Sequence, residues 1–193
     1  MKILGGKYKG RNFYMPAHIS PTQDVFRKAI FDILGHDLEG LTFLDLFAGS
    51  GAVGMEAISR GAKLVVMVEH DPKCADVIEQ NLNMLKIGYP YTDHVIMNAD
   101  AMATVKQMGR DGKKFDIVFL DPPYGLGLAK KILKLLMAYD ILHPHSYVVA
   151  QYEEQENLPD LEGRFCVVKS KSFGRSCLTI LEKNNEVEKS DSA

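Results

Sequence analysis

The sequence predicts a doubly wound α/β sheet preceded by a short N-terminal extension. Three observations predict it. From residue 41 onward, short apolar runs alternate with helix-length segments. Runs such as Leu64 to Val68 are apolar throughout, as suits parallel strands covered on both faces. A glycine-rich turn stands where the first of these runs passes into the first helix of the alternation.

Each element has its own signal. The first fifteen residues alternate loosely around Gly5-Gly6 and Gly10, the pattern of a short hairpin or paired extension, and Pro16 closes it. Pro21-Thr22 opens a helix to about Leu34, with Val25, Phe26, Ala29, Ile30, Ile33 and Leu34 at helical spacing and Gly35 as the stop. Strands are expected at 42–47, 64–69, 94–99, 115–121 and 146–152, with helices at 52–60, 73–86, 101–109 and 127–140. His143-Pro144-His145 reads as a loop before the fifth strand. Two more strand-like runs, 164–170 and 176–182, have no helix between them and are expected to close a seven-stranded sheet as an antiparallel hairpin. The organisation predicted is a basic extension over 1–36, one domain over 37–183 and a polar, disordered tail over 184–193.

Composition narrows the class. The 193 residues are 46% hydrophobic and 25% charged, which excludes a wholly disordered or collagen-like chain. No apolar run approaches the roughly 18 residues a membrane helix needs, and no secretory signal is visible. Cys74, Cys166 and Cys177 form no paired framework, so reduced thiols and a cytoplasmic location are expected. The six histidines have no metal-ligand spacing, and no metal is assigned. Net charge is −2, but the average hides a pattern. Residues 1–36 carry +4 and residues 164–181 carry +4 with no acid, around a middle that carries −8. Two basic segments on one face would attract phosphates; Lys2, Lys7, Lys9 and Arg11 read equally well as a solvated face.

The turn after the first strand reads Asp45-Leu46-Phe47-Ala48-Gly49-Ser50-Gly51-Ala52-Val53-Gly54. Gly49, Gly51 and Gly54 satisfy the nucleotide-binding G-x-G-x-x-G spacing between a strand and a helix. Glu69, about 20 residues on at the end of the second strand, can accept from ribose hydroxyls. Asp45 disfavours a pyrophosphate beside the turn, whereas an ammonium and sulfonium ligand would tolerate it. The D-x-F-x-G-x-G string resembles the first motif of S-adenosylmethionine-dependent methyltransferases; a nicotinamide dehydrogenase remains the other reading. Asp100 ends the third strand where its carboxylate would border an adenine, with the Ala101 N–H as donor, and Asp100 also suits a helix N-cap.

The fourth strand runs into Asp121-Pro122-Pro123-Tyr124. Two prolines hold the backbone extended with outward carbonyls. The Asp121 side chain and the Pro122 carbonyl can together accept both protons of an exocyclic amine, and Tyr124 offers a flat face to a base or amide. A nucleobase amine is conjugated and weakly nucleophilic; acceptors that favour a pyramidal nitrogen aim its lone pair at a methyl carbon. The sulfonium supplies the leaving group, so the chemistry needs no metal and no covalent enzyme intermediate.

The chain resembles the bacterial RsmD family. The residues that carry the likeness are Ile3-Leu4-Gly5-Gly6-Lys7-Tyr8-Lys9-Gly10-Arg11, Pro21-Thr22-Gln23-Asp24, Arg27 to Leu34, Leu44 to Gly51, Glu56 to Ala62 and Asp121 to Tyr124. That family methylates the N2 amine of one guanine in 16S rRNA, and the likeness covers about residues 1–182. It implies a Rossmann-like class I methyltransferase fold and S-adenosyl-L-methionine as cofactor. It implies that Asp45, Phe47, Ala48, Gly49, Ser50, Gly51, Glu69, His70, Asp100, Ala101 and Asp121 line the cofactor. Asp121, Pro122, Pro123 and Tyr124 would handle the guanine, and Lys7, Lys9, Arg11 and Arg27 would face 16S rRNA within the small ribosomal subunit or its precursor. A monomer is expected. The chain departs from the family pattern at Ser20, Val25 and Lys28, and its Ala150-Gln151-Tyr152 replaces the family's V-E-H. Alternative targets for the same chemistry are DNA adenine N6, another RNA or a protein glutamine, and the alternative class is a non-catalytic RNA-binding relative.

Overall fold

The computed structural model describes residues 1–16, 22–86, 93–161 and 163–184. The expected tail beyond Asn184, together with Ser20 and Pro21, lies outside the described residues. The elements are α1 (Asp24–Leu34), β1 (Thr42–Asp45), α2 (Ala52–Ser59), β2 (Leu64–Glu69), α3 (Pro72–Leu85), β3 (Asp93–Asn98), α4 (Ala101–Arg110), β4 (Phe115–Leu120), α5 (Leu128–Ala138), β5 (Leu142–Glu153), β6 (Phe165–Phe173) and β7 (Ser176–Lys183). The strands make one mixed seven-stranded sheet in the order β3-β2-β1-β4-β5-β7-β6, a Rossmann-like arrangement of the class I methyltransferase type. The chain divides into two compact units, Met1–Ala101 and Met102–Ala193.

In the first unit, β1, β2 and β3 pair in parallel, with Thr42 opposite Leu64 and Leu64 opposite Asp93. Val65, Val66, Met67 and Val68 are all buried, which is why β2 shows no polar alternation. The N-terminal extension pairs with itself through a single bridge, Lys2 to Asn12, and is bonded to α2. Ser59 Oγ donates to the Gly5 carbonyl and accepts from the Tyr8 N–H, and the Lys7 N–H donates to the Ser59 carbonyl at 2.7 Å. A side chain on Gly6 would put its Cβ 1.8 Å from that carbonyl, at a backbone φ of +72°. The glycine pair is thus the close approach that lets the extension lie on the helix. α1 buries Phe26, Ile30 and Phe31, with Phe31 stacked on Phe43 of β1 at 6.4 Å. Val25, expected on the apolar stripe, is instead exposed; the buried face is set one residue further round.

In the second unit, β4 and β5 pair in parallel, and β7 pairs antiparallel with both β5 and β6. The β6–β7 hairpin turns through Gly174-Arg175, with Gly174 at φ +65°. His143-Pro144-His145 is not a loop before the fifth strand. Phe115 faces Leu142 while Ile117 faces Tyr147, so these residues form a bulge inside β5, with His145 at φ +59°. Pro144 cannot donate to a ladder, and a bulge on the strand is where such a residue is tolerated.

Candidate active site

The cofactor-side residues named from the sequence all belong to the first unit, apart from Asp121. β1 ends at Asp45, whose side chain is buried. Gly49 at φ +53° and Gly51 at φ +75° then turn the chain into α2, and Gly51 is the N-cap, with no capping side chain among the described residues. The Gly51 N–H donates to the Ala48 carbonyl at 2.7 Å, and the Ala48 N–H to Val68 at 2.9 Å, so the turn is stitched to itself and to β2. Gly54 has another purpose: a Cβ there would lie 2.5 Å from Met67 Sδ, so the third glycine serves helix-on-strand packing. Phe47 is half-buried and Ser50 buried.

Glu69, buried at the end of β2, spans the turn. Its Oε2 accepts the Gly49 N–H at 2.7 Å, and its Oε1 accepts the Asp71 N–H at 2.8 Å with His70 Nδ1 3.0 Å away. A carboxylate has about four acceptor positions, so these amides leave Glu69 with capacity for further donors such as hydroxyl groups. Asn98 secures the same corner by donating from Nδ2 to the Glu69 and His70 carbonyls at 2.8 and 3.0 Å. Asp71 caps α3 by accepting from the Lys73 N–H, with Pro72 in the first turn. Burial, with the nearby Glu69 and Asp71 charges, pushes the Cys74 thiol up to about 11. Asp100 is exposed ahead of α4 and Ala101 is buried. The glycine turn, the two buried carboxylates and the open α2 N-terminus make a set of acceptors and a bare backbone surface. That set suits a ribose-bearing ligand with cationic groups better than a pyrophosphate.

In the second unit, β4 delivers Asp121 half-buried, Pro122 buried and Pro123 exposed. Tyr124 is 42% exposed, yet its hydroxyl is anchored, 2.7 Å from Ser176 Oγ on β7 and 3.4 Å from Gln151 Nε2 on β5. Gln151 is 5% exposed, and its Oε1 has no hydrogen-bond partner among the described residues. Ser176 and Gln151 are residues the sequence reasoning did not place at the site. They reach Tyr124 across 52 and 27 residues of chain, a distance no local pattern encodes. Asn98 likewise had no local signal, whereas Asp71 before Pro72 is a readable N-cap.

The residues expected to face RNA divide. Lys7, Lys9 and Arg11 are exposed, and Lys7 and Arg11 lie against the Tyr8 ring at 5.7 and 5.0 Å. Arg11 Nη1 donates to the Leu85 carbonyl at 2.6 Å. Arg27, expected to face RNA, is instead enclosed in the protein, with its side chain 0% exposed. It donates to Glu56 Oε1 at 3.2 Å, to Asp24 Oδ1 at 2.6 Å and to the Lys2 carbonyl at 3.0 Å. Glu56 also accepts from the Leu4 and Gly5 N–H groups and faces Arg60. Burial pushes its carboxyl up, while those amides and the two arginines pull it back. A buried guanidinium must be paired, and this cluster is the pairing. Among the described residues no group of three or more His, Cys, Asp or Glu side chains could hold a metal ion, and no helix is long and apolar enough to cross a membrane.

The family model described as Conserved hypothetical protein 95 matches residues 1–182. The chain belongs to this family, the RsmD family of methyltransferases. YlbH of Bacillus subtilis is 31% identical over 186 residues, 95% of this chain and 99% of that one. The ribosomal RNA small subunit methyltransferase D of Escherichia coli is 29% identical over 190 residues, 97% of this chain and 92% of that protein. Among solved structures, yhhF from Escherichia coli superposes with a TM-score of 0.84 at 28% identity, covering 96% and 99% of the two chains. An RNA methyltransferase from Salinibacter ruber, solved with S-adenosyl-L-homocysteine, shares the fold at TM-score 0.63 and 18% identity. Against the RsmD pattern, Val25 and Lys28 are exposed on α1, whereas Gln151 lies buried against Tyr124.

Proposed function

We propose that this RsmD-family protein transfers a methyl group from S-adenosyl-L-methionine to the exocyclic N2 amine of a guanine in 16S rRNA, in the cytoplasm, as a monomer and without a metal. The observation that carries the reading is the Asp121-Pro122-Pro123-Tyr124 turn at the end of β4, with the tyrosine ring exposed and its hydroxyl held by Ser176. The names of the relatives support the small-subunit RNA target.

The first unit supplies the cofactor residues: Glu69 for the ribose hydroxyls, the Phe47 to Gly51 turn for the methionine portion, and Asp100 with the Ala101 N–H for the adenine. Bound S-adenosylmethionine supplies an electrophilic methyl carbon on a sulfonium. The second unit prepares the amine. Asp121 and the Pro122 carbonyl accept its two N–H bonds, which turns the lone pair outward, and Tyr124 stacks on the base. With the cofactor bound, the nitrogen lone pair would take the methyl as the carbon–sulfur bond breaks and its electron pair stays on sulfur, leaving the neutral thioether S-adenosyl-L-homocysteine, and the nitrogen would pass one proton to the Asp121 carboxylate. A guanine swung out of its surroundings would reach Tyr124.

The test is tritiated methyl transfer from S-adenosylmethionine to 30S particles and to naked 16S rRNA that lack the modification. Label recovered as N2-methylguanine is expected. Cofactor binding without label in either substrate would exclude 16S rRNA and redirect the search to other RNAs, DNA and protein.

A further inference from the structure

β6 is the terminal strand of the sheet order, and every residue from Cys166 to Ser172 is exposed. Val167 and Val168 are 57% and 47% exposed, and a bulge between Val167 and Lys169 breaks the register there. Beyond the bulge the pairing is regular: Lys169 faces Ile180, Lys171 faces Leu178 and Phe173 faces Ser176. Residues directly opposite one another share a face, and alternate residues of a strand do too. Lys169, Lys171 and Phe173 therefore lie in one row with Ile180, Leu178 and Ser176, and Ser176 is the residue whose hydroxyl holds Tyr124. On the neighbouring strand that face continues through Val149, Gln151 and Glu153, so the acid of the row lies opposite Ser176 and none faces either lysine. Lys169, Lys171 and Arg175 make no ion pair among the described residues.

We propose that the Lys169–Lys171 row of β6 is a phosphate track that guides the RNA strand carrying the target base to Tyr124. The proposal rests on the functional reading above and extends it to a surface formed by the second basic segment of the chain. Charge complementarity favours RNA as occupant: the 164–181 segment holds four cations and no acid. Two lysines on alternate strand positions stand about 6.6–6.8 Å apart along the strand and present successive charges to one side. Edge lysines also discourage strand pairing between molecules, but that role needs no alignment with Tyr124 and predicts no effect on RNA affinity.

The experiment compares Lys169→Gln/Lys171→Gln with the wild type and with Lys106→Gln/Lys113→Gln, an equal charge change at exposed lysines elsewhere in the same unit. Affinity for naked 16S rRNA is measured against salt concentration, with calorimetric S-adenosylmethionine binding as the check on folding. The β6 pair is expected to lower the slope of log affinity against log salt by about 1.4, at about 0.7 per contact to single-stranded nucleic acid, while the control pair leaves it unchanged. An unchanged slope in the β6 pair, or an equal change in both pairs, would overturn the track. Intact affinity for naked RNA combined with lost methylation of assembled particles would overturn it in favour of a protein contact. If the wild type methylated no RNA, the functional reading would fall first and the track with it; methylation with no effect of the β6 pair would remove the track alone.

Discussion

Arg27 and Glu56 form an ion pair at 3.2 Å in which both side chains are fully shielded from solvent. Their elements, α1 and α2, are joined through it to the N-terminal extension by the Lys2, Leu4 and Gly5 backbone groups. Removing Glu56 leaves the buried Arg27 guanidinium only the exposed Asp24 carboxylate and the Lys2 carbonyl, and removing Arg27 leaves the buried Glu56 with Arg60 as its one facing cation among the described residues. Arg27→Ala and Glu56→Ala are each expected to cost about 3–5 kcal/mol of stability. Urea denaturation measures this, and a loss below about 1 kcal/mol would show that the pair is solvated in solution. A double-mutant cycle with Glu56→Ala should show strong non-additivity.

Gly54 is a packing residue. Gly54→Ala places a methyl 2.5 Å from Met67 Sδ inside a fully buried contact, so the thioether must move. A cost of about 1–3 kcal/mol is expected. Met67→Ala in the same chain should relieve part of it, giving a favourable coupling in the cycle. Simple addition of the two single costs would contradict the packing account.

Tyr124 has separable parts. Tyr124→Phe keeps the ring and removes the hydroxyl that Ser176 and Gln151 hold. It is expected to lower the single-turnover methylation rate while leaving RNA affinity near that of the wild type, because stacking survives. Tyr124→Ala should in addition lose about 1–3 kcal/mol of base stacking. Ser176→Ala should reproduce the phenylalanine effect; a Ser176→Ala enzyme with wild-type rate would mean that the anchored hydroxyl does not orient the ring.

The cysteines differ in reactivity. Cys74 is buried, and its thiol is raised to about 11 by burial and by the Glu69 and Asp71 charges, so it stays protonated at neutral pH. Cys166 is exposed on β6. Iodoacetamide at neutral pH should therefore label Cys166 first and leave Cys74 untouched, as peptide mass spectrometry would show. The sign of the linkage follows. A folded-state value above the ordinary 9.0 means the native state holds the proton longer, so this contribution to stability is complete below pH 9 and is lost between about pH 9 and 11. Cys74→Ala should flatten that part of the profile.

What the residues announce on their own is what local chemistry encodes. The all-apolar Leu64 to Val68 run marks a buried parallel strand because no face of it needs water. Gly49 and Gly51 mark the turn because its backbone angles favour glycine. Asp121 to Tyr124 is legible in the sequence because proline and tyrosine have fixed local consequences. Other features depend on partners far along the chain. The family resemblance implies an RNA contact at Arg27, and nothing local to the residue signals that Glu56, 29 residues away, encloses it. His143-Pro144-His145 reads as a loop in the sequence because a bulge exists only against the register of a neighbouring strand. Gln151 and Ser176 became site residues only when β5 and β7 paired and brought them to Tyr124. The alternation of strands and helices, the glycine turn and the chemistry of the two motifs are written in the order of the residues. Which charges are buried and which side chains hold the tyrosine follow from folding alone, because burial and strand register are made by contacts between residues that are remote in the chain.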